Sequence, residues 1–283
     1  MYKETKWAKE IILLQNENGS WGEDFHSLSM PNKKYPLTTE QALRRLDVLG
    51  FTIKDEVIQR AVQYMSDCLL DKSKIPGERE KLHDWDIFTN MMFSTWIRKF
   101  TKQNKQANEI AKTWARVITS AFTNKSYNHS EYIKAYTETF GIKPKGGRFV
   151  DFVTFYQITL IADNLSNEVE NDVFDYILNH DVGIYYVHDK PLNVLPSVFQ
   201  SKQASGYISA FELLSGYKNN LHKMNFVIDW LNNNRNENGK WDMGAASKDG
   251  IDLPLSDSWR RVEVREMDCT YRIEKLINSI NCL

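Results

Sequence analysis

The sequence predicts an all-α protein of 283 residues in which one set of helices is enclosed by another. Three observations predict it. Apolar residues recur with the helical period along most of the chain. The helices so defined alternate between ones with a polar back and ones apolar nearly all round. The word Asn-Glu-Asn-Gly-x-Trp closes a helical run near each end, at Asn16–Trp21 and at Asn236–Trp241.

Taken in order, residues 3–16 form a one-sided helix. Residues 38–49 follow, opened by Thr38 and Gln41 at capping-box spacing and closed by Gly50, although Arg44, Arg45 and Asp47 interrupt the apolar surface. Residues 54–70 are one-sided, with Val57, Ile58, Ala61, Val62, Met65 and Leu69 on one face. Residues 86–100 are apolar on every side. One-sided 104–122 pairs with apolar 149–162, and 130–141 is an extra helix or lid ended by Gly141. Residues 168–179 pair with 203–215, and 219–233 pair with 264–280. No alternating run is long enough for a major sheet, though Gly183–His188 has the composition to pair locally. A helix that is apolar all round has neighbours all round. The alternation therefore implies five to six helical hairpins in one domain over 1–283, arranged as concentric inner and outer sets. A plain helical bundle is the alternative architecture.

Hydrophobic residues make up 42% of the chain and charged residues 26%, an ordinary soluble balance. The 36 basic and 37 acidic residues nearly cancel, so no global field draws in nucleic acid. No signal peptide, transmembrane-length apolar run or cysteine framework is visible, and a cytoplasmic setting is expected.

The repeated word closes an outer helix. The polar residue ends the helix, Gly supplies a left-handed turn, and Trp21 or Trp241 folds back as glue between repeats. A degraded third copy runs from Leu178 to Tyr186, with Gly183-Ile184-Tyr185 in place of Gly-x-Trp. The stretch Glu10–Trp21, "EIILLQNENGSW", resembles the QW motif of the terpenoid cyclase and protein prenyltransferase superfamily, and Trp230–Trp241 is a weaker instance. The resemblance touches both ends of the chain and implies an α/α toroid whose ligand meets the mouth of the inner barrel.

The chemistry is expected at the starts of the inner helices, where unpaired N–H groups and positive potential gather. These are Thr39-Glu40, His83–Asp86, Asp151, Gln200–Gln203 and Val264–Tyr271. Asp84-Trp85-Asp86 offers two carboxylates around an indole, part of what alkene protonation and cation stabilisation require. The full Asp-x-Asp-Asp of the cyclases is absent, and either Asp alternatively caps the helix. Glu266 and Asp268 are candidates to tune that acid or, if the toroid closes, to approach Glu40; helix capping or pairing with Arg265 or Arg272 is the alternative. His83, Trp85, Trp96, Phe155, Tyr156 and Tyr271 are candidate substrate-binding residues, and Trp96, Phe155 and Tyr156, with Phe93 and Phe152, serve equally well as core. His83, His129 and His188 are candidate general bases. No zinc spacing, Asp-Asp magnesium cluster or phosphate-cradling glycine loop is present, so neither metal nor cofactor is expected.

Three functions follow. The first is a cyclase-like or transferase-like protein with a cavity for a small hydrophobic, prenyl-like molecule. The second is a carbohydrate-active lyase or hydrolase on the same architecture, which a polar cleft would favour. The third is a non-catalytic binding or scaffold toroid.

Overall fold

A computed structural model describes residues 2–26, 37–75, 84–145 and 151–281. These form eleven α-helices, three short 3-10 segments and one two-stranded hairpin. The chain divides into two compact units: Met1–Ile110 with Leu255–Asp257, and Ala111–Pro254 with Ser258–Leu283.

The first unit holds α1 (Lys6–Leu13), α2 (Thr39–Val48), α3 (Glu56–Leu69), α4 (Trp85–Phe100) and the start of α5 (Lys105–Ser120). At the start of α2 the Thr38 hydroxyl accepts the Gln41 amide while Gln41 reaches back to the Thr38 amide, the reciprocal cap that its spacing predicts. The interruption by Arg44, Arg45 and Asp47 proves compatible with burial. Arg44 pairs with the fully buried Glu40 at 3.0 Å, and Asp47 pairs with Lys99 at 3.0 Å. One face of α3 is buried and the other carries its polar residues. From Phe88 to Arg98, α4 is buried at every position except Asn90, as its all-round apolar sequence requires. Phe93 meets Phe25 edge-on at 4.7 Å in this core. Burying such a side chain contributes about 1.5–3 kcal/mol.

The second unit begins within α5 and continues through the hairpin β1 (Phe122–Thr123) and β2 (Ser126–Tyr127). It then holds α6 (His129–Phe140), α7 (Phe155–Ile161), α8 (Asn167–Leu178), α9 (Lys202–Leu214), α10 (Asn225–Asn233) and α11 (Val262–Asn281). One-sided α8 and largely buried α7 and α9 keep the expected alternation. Three elements differ from expectation. The helix expected over 149–162 begins at Phe155; residues 149 and 150 lie outside the described residues. The Phe155 amide and the Val153 carbonyl are committed to Tyr185, each at 3.0 Å, so that backbone cannot enter a helix. The hairpin turns on Asn124 and Lys125, both at positive φ, in place of the glycine that usually signals such a turn. In α11 only one face is buried, through residues such as Cys269, Ile273 and Leu276.

Arg272 of α11 anchors the loop before it. Its guanidinium donates twice to Glu212, at 3.0 Å each, and also to Ser205 and Ser209, and it lies 3.4 Å from Asp252. Among the described residues no helix is long and apolar enough to cross a membrane.

Candidate functional site

The three glycine corners decide where the molecule is sealed and where it opens. At the first, the Asn16 amide donates to Ser20 at 2.8 Å and the Gly19 amide to Asn16 at 3.0 Å, with Gly19 at φ 94°. Fully buried Trp21 returns its indole N–H to the carbonyl of Ile11 at 2.7 Å and its amide to the Thr39 hydroxyl at 2.9 Å. The copy in the second unit repeats each bond. Asn236 donates to Lys240 at 2.7 Å and Gly239 to Asn236 at 2.9 Å. The Trp241 indole reaches Leu231 at 2.6 Å, and its amide reaches Thr270 at 3.1 Å. Each indole satisfies a carbonyl ten residues back that the helix end would leave open.

The third corner keeps the turn and loses the seal. Gly183 is again left-handed, at φ 65°, and its amide donates to the His180 carbonyl at 3.4 Å, so His180 stands where the others have Asn. Tyr185 takes the tryptophan position, has no indole N–H, and sends its amide to Val153. The chain then doubles back: Ile184 and His188 exchange backbone bonds at 2.8 and 3.0 Å, and Tyr186 is held at φ 71°. Beside this segment lies a cleft of about 860 Å³, bounded by Asp151, residues 182–190 and the first turns of α9. That volume suits a small molecule.

Two histidines line the cleft and play different parts. His180 directs Nε2 to Asp151 Oδ2 at 2.7 Å, and its Nδ1 accepts the Val182 amide at 3.4 Å. These partners fix the Nε2–H tautomer and engage both ring nitrogens. In the Trp241 corner, Asn236 likewise donates to a carboxylate, that of Glu266, at 2.7 Å. Burial acts to raise the Asp151 carboxyl, but the His180 bond, the Val153 amide and the Tyr176 hydroxyl outweigh it and hold it below the ordinary carboxylate value. Tyr176 in turn stacks on Tyr127 at 4.4 Å.

His188 is only 6% exposed, and its Nε2 is buried with no hydrogen-bond partner. Burial lowers its pKa below the usual imidazole value against an opposing pull from Asp189, so the ring is neutral at pH 7. Its face meets Tyr207 edge-on at 5.4 Å. A buried polar atom without a partner costs about 1–3 kcal/mol. The site thus combines a neutral proton acceptor, two tyrosines and two lysines, Lys190 and Lys202.

The chain matches no family model, no curated protein and no solved structure.

The residues expected from sequence fall in several places. Asp84 occupies the N-cap position of α4 without a side-chain capping bond, Trp85 is half-buried near Phe88, and Asp86 is exposed. His83 lies outside the described residues. Trp96 is buried and donates its indole N–H to Glu40 at 3.1 Å, so it belongs to the α2–α4 core. Phe155 and Tyr156 are buried in α7, and the Tyr156 ring lies 5.6 Å from Tyr186 of the cleft. Fully buried Asp268 accepts the Trp259 indole N–H at 2.7 Å. Glu266 binds Asn236, and Tyr271 is exposed. Among the described residues no group of three His, Cys, Asp or Glu is placed to hold a metal ion.

Asp151, Gln203 and His188, all named from the sequence, meet in the cleft; His180, Lys190 and Tyr186 were not singled out. Aligning the degraded copy with the intact ones was the available signal, because it puts His180 in the asparagine position and removes the tryptophan.

Proposed function

We propose that the chain binds a hydroxyl-bearing small molecule of the carbohydrate class in the cleft of the second unit, and that His188 accepts a proton from it. The observation that carries this reading is a buried, neutral imidazole with an unpartnered Nε2 at a cleft of ligand size. Burial disfavours the charged ring, so the base is available at neutral pH without competition from solvent protons. A ligand hydroxyl would relieve the cost of the unpartnered atom. Tyr185 and Tyr186 offer aromatic surface for the C–H faces of a sugar ring, with polar edges nearby.

The test is thermal stabilisation by a panel of oligosaccharides against farnesol, because a ligand bound at 100 times its Kd stabilises the native state by about 2.7 kcal/mol. Stabilisation by sugars, reduced more than tenfold in affinity by His188→Ala, is expected. Stabilisation by farnesol alone would overturn the reading.

A second reading is supported by the paired tryptophan corners and by the alternation of one-sided and buried helices. It holds that the chain is a divergent α/α toroid related to terpenoid cyclases and prenyltransferases, acting on a prenyl-like molecule. Protonating an alkene needs a dry, hydrogen-bonded acid. Asp86 is exposed, whereas Asp268 is fully buried and held by the Trp259 indole, so Asp268 is the acid of this reading. Conversion of farnesyl diphosphate that Asp268→Asn abolishes would support it. Absence of ligand response in either class leaves the scaffold reading.

A further inference from the structure

We infer that the cleft receives an anionic group of its ligand, a carboxylate or a phosphate, at the first turn of α9 beside Lys190 and His188. The inference rests on the carbohydrate reading above and names its class: an acidic or phosphorylated sugar.

The argument starts from the backbone. α9 runs for thirteen residues, with Ser201 as its N-cap. The Ser201 hydroxyl accepts the Ala204 amide at 3.1 Å, and its carbonyl accepts the Ser205 amide at 3.2 Å. The amides of Lys202 and Gln203 have no partner among the described residues, and both residues line the cleft. Unpaired N–H groups at a helix start carry partial positive charge and attract anions.

Side chains add to that field. Lys190 Nζ donates to Gln203 Oε1 at 3.1 Å, which fixes its charge against the same turn, and Lys202 adds a second cation. Of the two acids that line the cleft, Asp151 is bound to His180, and Asp189 is exposed.

His188 supplies the independent observation. This buried side chain lacks a partner and faces the same helix, because a Cβ placed on Gly206 would stand 3.6 Å from its Nδ1 and 3.0 Å from the Val187 carbonyl. The bare glycine lets the imidazole approach α9 one turn beyond the free amides. An anion seated there would meet backbone donors, an ammonium and an imidazole that can donate.

Calorimetric titration with glucose, glucuronate, glucose 6-phosphate and inorganic phosphate tests this, together with 15N histidine spectra that report on the His188 ring. The charged sugars are expected to bind at least tenfold more tightly than glucose, and inorganic phosphate is expected to shift the His188 resonances. Lys190→Ala should bring the charged-to-neutral ratio close to one, while Lys190→Arg, which keeps the charge, should retain most of it. Equal affinity for glucose and both charged sugars would overturn the anionic subsite and leave the carbohydrate reading standing. Phosphate binding at His188 with no sugar binding would do the reverse. Silence from every probe would end both.

Discussion

Two corners of the second unit, 236–241 and 180–185, leave their helices by the same left-handed glycine and part company two residues later. Trp241 folds back, satisfies the Leu231 carbonyl and is wholly buried. Tyr185 has nothing to return, stays half-buried, and joins the backbone of Val153 and Phe155. The first corner seals its helix pair, and the second borders a cleft of about 860 Å³. The difference teaches that a repeat array can make room for a ligand where one repeat loses its anchor. Conservation of the turn with loss of the indole keeps the frame and frees the space.

The comparison breaks first if the anchors do not differ in energy. Trp241→Ala should destabilise by about 3–5 kcal/mol, as large-to-small changes in a core do. Tyr185→Ala, at a half-buried position, should cost clearly less, and equal losses in urea denaturation would remove the distinction between sealed and open corners.

The glycines sharpen it. Gly183 and Gly239 share a left-handed φ, so alanine at either carries a conformational cost of about 1–2 kcal/mol. At Gly239 a Cβ meets nothing within 4 Å, whereas at Gly183 it would stand 2.3 Å from the Lys190 carbonyl and 2.4 Å from that of His188. Gly183→Ala should therefore cost more than Gly239→Ala and should also abolish ligand binding. Thermal melts of the two variants rank them directly; a larger loss at Gly239 would contradict the tight 183–190 return.

Titration separates the corners next. His188 has its folded pKa lowered, chiefly by burial, below the unfolded value of about 6.5. The unfolded chain therefore takes up the proton first as pH falls. The stabilising contribution of the neutral ring is full above about pH 6.5 and is lost as pH drops through the folded value. In His188→Gln, stability between pH 7.5 and 5 should fall less steeply than in the native chain. Parallel curves would show that the imidazole is not held neutral.

The smallest expected effect lies on the sealed corner. The Arg235 guanidinium sits 4.4 Å from the Trp241 ring centre, and Arg235→Ala should cost about 0.5–1 kcal/mol. No change in denaturation midpoint would mean that the seal is the indole alone.

Most helices were legible because their burial demands are written in single-helix periodicity. The starts and ends of α3, α4, α8 and α9 fall within a residue or two of the predicted spans. The exceptions share a cause. Residues 151–154 read as helix by composition but pair with Tyr185, 31 positions later, and a long-range backbone bond outranks local propensity. The hairpin at 122–127 was hidden because Asn124 and Lys125 adopt positive φ without glycine. At the site, His188 was recognisable as a base only by residue type. Its lack of a partner depends on Gly206, Val187 and Tyr207, which sequence spacing does not bring together.

By itself the chain's order of residues determined an all-helical protein, the division into one-sided and enclosed helices, and the placing of tryptophan at two glycine turns. Helical period and left-handed backbone preference act over a few neighbouring residues, so a linear reading reaches them. The tertiary structure alone decided which glycine turn stays open, that His180 is occupied while His188 is not, and that Lys190 meets the start of α9. Those outcomes depend on which polar atoms find partners across distant segments, and hydrogen-bond satisfaction is settled only when the whole unit packs.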